Sequence, residues 1–561
     1  MTSERIVVSR AIAAEARIVM AFGRLISTGV VVLATAACSG DDGSRNEPAV
    51  TTAETALGVA NGVMTDEGVV AFLGLRFAEP PIGELRFKPP LAIDAWDSPV
   101  DASAFGPACP QPVEVGQALY QDQSEDCLTL NVWTPSADDE KRPVMVWVHG
   151  GGWIYEGTED PLYSGAHLAA RGDVVVVSME YRLGVFGFSH FENIPGSGNA
   201  GLLDQRLALE WVRDHIEAFG GDPSNVTLFG ESAGGMSATA LMAMPSAKGL
   251  FHKVIAQSGA GSTAREAAYA KAVSDELLAA AGVTAPAELS ELTTAELLAA
   301  QTVMRADAFL EDLLFGTVVD GDVLPDPPIY AIANGSAADI PLLTGTTKDE
   351  TRLWILYVDL LENIALDVVL AFIPSGARAI PDGKTVEDVI ALYQSNRPGA
   401  EPGVITHAAG SDIFFRLPAT RLLEAQLAHQ PSQTFFYRFD WPPPVPASPE
   451  VDFGSPHGAE LAFMFGSQGW PEVYGSERVP RALSEQLMDA WLAFAKTGDP
   501  NHGQMPNWPA YDTTERSTMI FNTTDASPIS EVVRDPAADE RMFWDDVPFD
   551  GITPTSKPED L

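Results

Sequence analysis

The run Gly230-Glu231-Ser232-Ala233-Gly234, set between the apolar Val226 to Phe229 and the small-residue stretch Gly235 to Ala240, constrains the fold more than any other segment. A β-prone run that passes into a helix through a serine with glycines two residues either side forces that serine out of the sheet on a sharp turn, since glycine keeps the turn free of side-chain clashes. This is the pattern of a nucleophile elbow. Ser232 becomes the candidate nucleophile of an acyl-transfer reaction, with the amides and positive dipole end of the next helix facing the position where negative charge develops. In a chain with 48 glycines a glycine-flanked turn serine with no chemistry is the alternative. The strand before the serine and the helix after it favour the nucleophile.

Other short β-rich runs recur along the chain: Val144 to Val148, Val174 to Val177, Val254 to Ala256, Pro341 to Thr344 and Thr434 to Tyr437. With helical patterns between them, they predict an α/β fold with a mostly parallel central sheet flanked by helices. Leu203, Leu207, Trp211, Val212 and Phe219 recur at helical spacing, and Gly220-Gly221-Asp222-Pro223 ends that helix. The Ala/Leu/Glu-rich segments 263–309 and 352–430 are expected to be helical insertions around the sheet. No repeat or linker divides residues 55–549, which are expected to form one domain, with 550–561 a loose tail.

A formal net charge of −43 makes the surface repel phosphate backbones and anionic headgroups, so nucleic acid is excluded as a partner. At the N-terminus, Arg24 precedes an apolar stretch from Leu25 to Ala37 that is too short to span a bilayer but suits a signal-peptide core. It ends in Thr35-Ala36-Ala37-Cys38 followed by Ser39-Gly40-Asp41-Asp42, which resembles a bacterial lipoprotein cleavage site, although Thr35 stands where leucine is more usual. The expectation is a signal segment over 1–38, with Met20 a possible start. It continues with a lipidated Cys38, a flexible tether over 39–54, and an exported protein, either lipid-anchored or secreted. Cys109 and Cys127 are then expected to form a disulfide rather than a metal site, which would need further ligands. Its loop would constrain the unfolded chain by roughly 3 kcal/mol in the chain-entropy treatment.

Directly after Val144 to Val148 comes His149-Gly150-Gly151-Gly152-Trp153. Glycines there let backbone N–H groups approach a substrate oxygen, and with the Ala233 amide they would form an oxyanion hole. A serine hydroxyl needs a base, and nine histidines compete for that role. His149 belongs to the glycine loop, His215 and His252 fall in or beside predicted helices, and His167, His190, His407, His429 and His502 read as surface or packing residues. His457 differs: it follows Thr434 to Tyr437 across a Pro/Gly-rich loop and opens His457-Gly458-Ala459-Glu460-Leu461. A loop at the carboxyl end of a late strand is where an α/β hydrolase carries its base. The acid that orients the imidazole should lie between serine and histidine in chain order. Lys348-Asp349-Glu350 qualifies, and position alone leaves Asp349, Glu350 and Asp320 open.

A resemblance narrows these choices. Phe219-Gly220-Gly221-Asp222-Pro223 with Val226 to Gly235 resembles the serine signature of the type-B carboxylesterase and cholinesterase family, and Glu125 to Val132 resembles its second signature. Phe72-Leu73-Gly74, Leu85-Arg86-Phe87, Tyr181-Arg182-Leu183-Gly184, Gly201-Leu202-Leu203-Asp204-Gln205, Val318-Val319-Asp320-Gly321 and Thr497-Gly498-Asp499-Pro500-Asn501 extend it over about residues 55 to 545. The resemblance implies an α/β-hydrolase fold and a serine carboxylic-ester hydrolase acting through an acyl-enzyme on small or medium esters, with neither cofactor nor metal. It assigns Ser232 as nucleophile, Glu350 as acid, His457 as base, Gly151, Gly152 and Ala233 as oxyanion donors, and Cys109–Cys127 as a disulfide. Cholinesterases carry a cation-binding tryptophan between those cysteines, where this chain has only Tyr120 as an aromatic, so a choline-ester specialist is not expected. The chain looks closer to bacterial general carboxylesterases of the para-nitrobenzyl-esterase type. Trp153, Trp354 and Phe415 are candidate pocket walls. The alternatives are a lipase or a hydrolase of toxin or xenobiotic esters, and a non-catalytic interaction module, against which an intact serine, glutamate and histidine set argues.

Overall fold

In the computed structural model, the described residues are 49–112, 122–259, 264–305, 314–356, 366, 380–445, 452–467, 469, 471–474, 479–524 and 527–547. The proposed signal segment, Cys38, Tyr120 and the expected tail lie outside them. A strand at Thr52–Thr55, paired with Gly58–Asn61, begins inside the segment expected as a tether.

The large sheet comprises β1 Val63–Met64, β2 Val70–Arg76, β3 Thr129–Thr134, β4 Arg142–Val148, β5 Val175–Met179, β6 Gly221–Glu231, β7 Lys253–Gln257, β8 Leu342–Thr347, β9 Thr434–Phe439, β10 Ser517–Phe521 and β11 Glu531–Arg534. Their spatial order is β11-β10-β9-β8-β7-β6-β4-β5-β3-β2-β1. The block from β5 to β10 is parallel, and the antiparallel pairs stand at its two margins. All six runs predicted from the sequence are strands of that parallel block. Their near-continuous Val/Ile/Leu character follows from position, because a parallel strand covered on both faces has no solvent side. Val144 to Val148 in β4 and Val226 to Phe229 in β6 are each fully buried.

Helix α1 (Ala200–His215) carries the predicted stripe, with Leu203, Leu207, Trp211 and Val212 buried. A short 3₁₀ turn, Ile216–Phe219, extends it to Gly220 at φ 78. The helix stop expected over Gly220 to Pro223 is confined to Gly220: Gly221-Asp222-Pro223 are the opening residues of β6 rather than a loop. Helix α2 (Ala233–Ala243) follows the elbow and is enclosed on nearly every side, and eight of its eleven residues are Gly, Ala, Ser or Thr. Helix α3 (Arg481–Thr497) ends at Gly498, φ 78, inside the Thr497 to Asn501 motif. Within the predicted insertions stand helices Ala267–Ala280, Thr294–Arg305, Val386–Asn396, Pro402–Ser411 and Leu417–Leu427.

Charged residues of the family-like motifs pair with one another inside this frame. Arg86 makes a two-pronged contact with Glu125 at 2.7 and 2.6 Å, and Arg182 does the same with Asp204 at 2.8 and 2.6 Å. Removing one partner of such a buried pair leaves an uncompensated charge, a loss of about 3–5 kcal/mol.

After β4 the chain turns to β5 on one side of it, then crosses to β6 on the other. The carboxyl ends of β4 and β6 therefore flank a topological switch point, where open α/β sheets leave a crevice. The glycine loop and Ser232 both lie there.

Candidate active site

Ser232 sits between β6 and α2 with φ 55 and ψ −125, a conformation that costs a non-glycine residue about 1–3 kcal/mol. Its neighbours make that geometry possible. A methyl group on Gly234 would lie 2.0 Å from the Val148 carbonyl oxygen, and one on Gly230 would lie 2.6 Å from the Gly234 carbonyl carbon. Only glycine at both positions lets β6, α2 and the end of β4 close on the turn. The Ser232 N–H donates to the Gln257 carbonyl at 2.9 Å, and the Met236 N–H donates to the Ser232 carbonyl at 2.9 Å. Ser232 remains partly exposed while Ala233 and Gly234 are buried.

Gly151 (φ 76) and Gly152 (φ 61) form a 3₁₀ turn with Trp153 at the carboxyl end of β4. The Tyr181 hydroxyl, 2.9 Å from the His149 carbonyl and 3.2 Å from that of Gly150, tethers the loop. His149 is fully buried and stacks on Tyr181 at 4.4 Å; burial pushes its pKa down to about 3, so it stays neutral. That excludes it as a base working near neutral pH.

His457 reaches the same region from the loop after β9. Its Nδ1 lies 2.6 Å from Glu350 Oε2, and its backbone N–H donates to the Glu350 carbonyl at 3.1 Å. The other oxygen of Glu350 accepts from Ser258 Oγ at 2.6 Å and the Thr347 N–H at 2.8 Å. Glu350 is 0 % exposed. Asp349 instead pins the loop two residues before His457, where its backbone N–H donates to the Ser455 carbonyl at 2.8 Å and its carboxylate accepts from the Ser455 N–H at 3.1 Å. Asp320 is remote from both, accepting from Asn199 at 2.9 Å.

The second ring nitrogen of His457, Nε2, lies 3.1 Å from the carboxylate of Glu231, the residue immediately before Ser232. This edge of the imidazole thus faces the elbow. Burial opposes a charged imidazole, but the charges of Glu231 and Glu350 outweigh it and hold the His457 pKa above its usual range. Burial also raises the Glu231 carboxyl well above the ordinary carboxylate range. Glu460, three residues after His457, accepts from Tyr437 at 3.0 Å and Gln257 at 3.3 Å beneath the same ring.

Trp354 and Phe415 flank the imidazole, with ring centroids 5.3 and 4.8 Å from it. Trp153 points elsewhere: its indole N–H donates to Ser237 in α2 at 2.9 Å, and the ring is buried beside Phe188. Cys109 and Cys127 are joined in a buried disulfide. Among the described residues, no cluster of His, Cys, Asp and Glu is arranged to hold a metal ion.

A strained serine at the switch point, a buried imidazole directed at the residue before it and a buried glutamate behind that imidazole are the components of an acyl-transfer arrangement. Comparison with known proteins agrees. The family model described as "Carboxylesterase family" matches residues 46–544. The chain belongs to the carboxylesterase family. Its activity is that of a serine carboxylic-ester hydrolase. It is 39% identical over 481 residues to the para-nitrobenzyl esterase of Bacillus subtilis (strain 168), covering 82% of this chain and 92% of that protein. Carboxylesterase 1D of Rattus norvegicus is 33% identical over 524 residues, covering 85% and 91% respectively. Among solved structures, the Geobacillus stearothermophilus carboxylesterase EST55 at pH 6.2 superposes with a TM-score of 0.78 at 37% identity, covering 88% of this chain and 100% of that one.

For this carboxylesterase, sequence reading passed over Glu231, Ser258, Tyr181 and Glu460. Glu231, Glu460 and Tyr181 stand within the family-like motifs, so their position was visible but their direction was not. Ser258 meets the site only through the tertiary fold.

Proposed function

We propose that this carboxylesterase cleaves small and medium carboxylic esters through an acyl-enzyme on Ser232. His457 takes the serine proton, Glu350 fixes the imidazole with its proton on Nδ1, and the amides of Gly151, Gly152 and Ala233 receive the oxyanion. Collapse of the tetrahedral intermediate expels the alcohol, protonated by His457. Water then enters, gives its proton to His457, and attacks the acyl group to release the acid and restore Ser232. The observation that carries this reading is His457 itself, held at Nδ1 by a fully buried Glu350 at 2.6 Å while Nε2 faces the residue next to Ser232.

Trp354 and Phe415 serve as an aromatic wall of the substrate pocket beside the base, which suits an apolar acyl or alcohol group. A panel of p-nitrophenyl esters of graded chain length, run on the wild type and on Phe415→Ala, tests this. Preference for short and medium chains, shifted towards longer ones in the variant, supports the reading; a flat profile in both proteins contradicts the pocket assignment.

The same reading covers export. Among the described residues no helix is long and apolar enough to cross a membrane. The 1–38 segment directs export, and lipidated Cys38 anchors the chain. The Cys109–Cys127 disulfide supports an oxidising compartment. Mass spectrometry of the native N-terminal peptide decides it: a chain beginning at acylated Cys38 is expected, and an unmodified Cys38 contradicts it.

A further inference from the structure

Under the glycine loop lies a carboxyl group that the mechanism above does not use. Glu156 has φ 77, in the left-handed region where glycine is the ordinary occupant and a long side chain is strained. The residue is also half-buried, a second cost on a carboxyl group. Strain and burial together are retained where the surroundings over-determine a residue, and such positions cluster at active sites.

Here the surroundings grip Glu156 at both ends. Gln111 accepts from its backbone N–H at 2.9 Å and donates to its carbonyl at 2.7 Å, while a further bond of 3.2 Å to the Cys109 carbonyl ties Gln111 to the disulfide. At the other end the Tyr163 hydroxyl donates to Oε2 at 2.7 Å. Between these anchors the side chain lies flat against Gly151. A methyl group on Gly151 would stand 3.0 Å from Glu156 Cγ and 3.2 Å from its carboxyl carbon. The Glu156 side chain is therefore the floor on which Gly151 rests.

We propose that Glu156 is a positioning residue of this site: its side chain, braced by Gln111 and Tyr163, holds Gly151 and through it the glycine turn in place for the oxyanion, and it does so best as a neutral acid. The proposal rests on the ester-hydrolase roles given above for Gly151, Gly152 and Ser232. A neutral acid can accept from Tyr163 and fill the space under Gly151 without placing a second negative charge beside a developing oxyanion in a poorly hydrated site. Burial pushes its pKa up to about 7, against the pull of the Tyr163 hydrogen bond, the nearby His457 and the Gly150 backbone, and with a further push from Asp160. Glu231 and Tyr181 are the other titratable groups that feel its charge. Its ionisation thus falls inside the pH range in which an esterase is ordinarily assayed.

The test measures kcat and KM for p-nitrophenyl acetate between pH 5.5 and 9 on the whole protein, with Glu156→Gln, Glu156→Ala and Ser232→Ala side by side. The affinity of each for an aryl trifluoromethyl ketone, whose adduct oxygen occupies the oxyanion position, is measured in parallel. Glu156→Gln, which keeps the shape and the acceptor, should match the wild type at low pH and exceed it in kcat by a growing ratio as pH rises through about 7. Glu156→Ala should lose on the order of tenfold in kcat and in ketone affinity with KM little changed. Superimposable pH profiles for the wild type and Glu156→Gln would overturn the proposal, and they decide alone if Glu156→Ala does not fold. An active Ser232→Ala would instead overturn the nucleophile assignment, so the two failures are distinguishable.

Discussion

On the histidine side of Ser232, Glu350 is fully buried and both its oxygens have donors, from Ser258, Thr347 and His457. On the glycine-loop side, Glu180 and Glu231 are buried and Glu156 is half-buried, but among the described residues none has a lysine or arginine at ion-pair distance. Oε1 of Glu231 and Oε2 of Glu180 have no hydrogen-bond partner there. Burial accordingly pushes Glu156 and Glu180 up to about 7 and Glu231 well above the ordinary range. On the histidine side both oxygens of Glu350 are supplied with donors, whereas Oε2 of Glu460 has none among the described residues. On the glycine-loop side burial outweighs the donors that Glu156 and Glu180 have, and disfavours their charged forms. The same residue type thus meets different surroundings on either side of one serine, according to the donors that reach its carboxyl oxygens.

The largest effects come from breaking the histidine side. Ser232→Ala should lower kcat by up to roughly a millionfold, read in steady-state hydrolysis of p-nitrophenyl acetate. Next, Glu350→Gln should cost on the order of ten-thousandfold in kcat by analogy with triad acids, because the amide no longer fixes the tautomer. Asp349→Asn should cost far less, since its contact with Ser455 positions the loop but does not touch the imidazole. The reverse ranking would move the acid role to Asp349.

A smaller effect sharpens the boundary between the two sides. In the proposed mechanism loss of the proton from His457 creates the base, so kcat/KM should rise as pH increases through the His457 ionisation. The charge of Glu231 stabilises the imidazolium and holds that ionisation high. Glu231→Gln should therefore move the rising limb towards lower pH, by about one unit or more for a contact this close. An unmoved limb would mean that Glu231 already carries the shared proton in the wild type.

The smallest effect concerns stability on the glycine-loop side. Glu180 accepts from the Thr158 N–H at 2.6 Å and its hydroxyl at 2.8 Å, yet burial raises its pKa to about 7. The folded state binds this proton more tightly than the unfolded state does. Its stabilisation is therefore complete below the unfolded value of about 4.5 and is lost as pH rises through about 7. Glu180→Gln should reduce the fall in Tm between pH 5 and pH 8 without abolishing it, because Glu156 titrates in the same window. Identical slopes in both proteins would contradict the assignment.

The parallel block was legible because its strands are buried on both faces and their apolar runs are continuous. The margins were not: β11 is Glu-Val-Val-Arg, exposed or half-buried throughout, and its pairing with β10 is a matter of tertiary position. Ser232 was legible because a strained elbow demands glycine on both sides, a constraint written in adjacent residues. Glu350 was distinguishable from Asp349 only by resemblance, since two adjacent acids differ in which one the loop turns inward, and here Asp349 faces Ser455 while Glu350 faces His457. The buried acids of the glycine-loop side left no periodic trace. Glu156 reads as a polar loop residue until the backbone at φ 77 and the contact with Gly151 are seen.

The account turns on Ser232 as the covalent nucleophile, and reaction with an aryl sulfonyl fluoride or a phosphonofluoridate tests it directly. Peptide mass spectrometry should find one adduct per chain on Ser232, with residual esterase activity falling in proportion to labelling. Complete inactivation with Ser232 unmodified, or full labelling of Ser232 with activity retained, would contradict it.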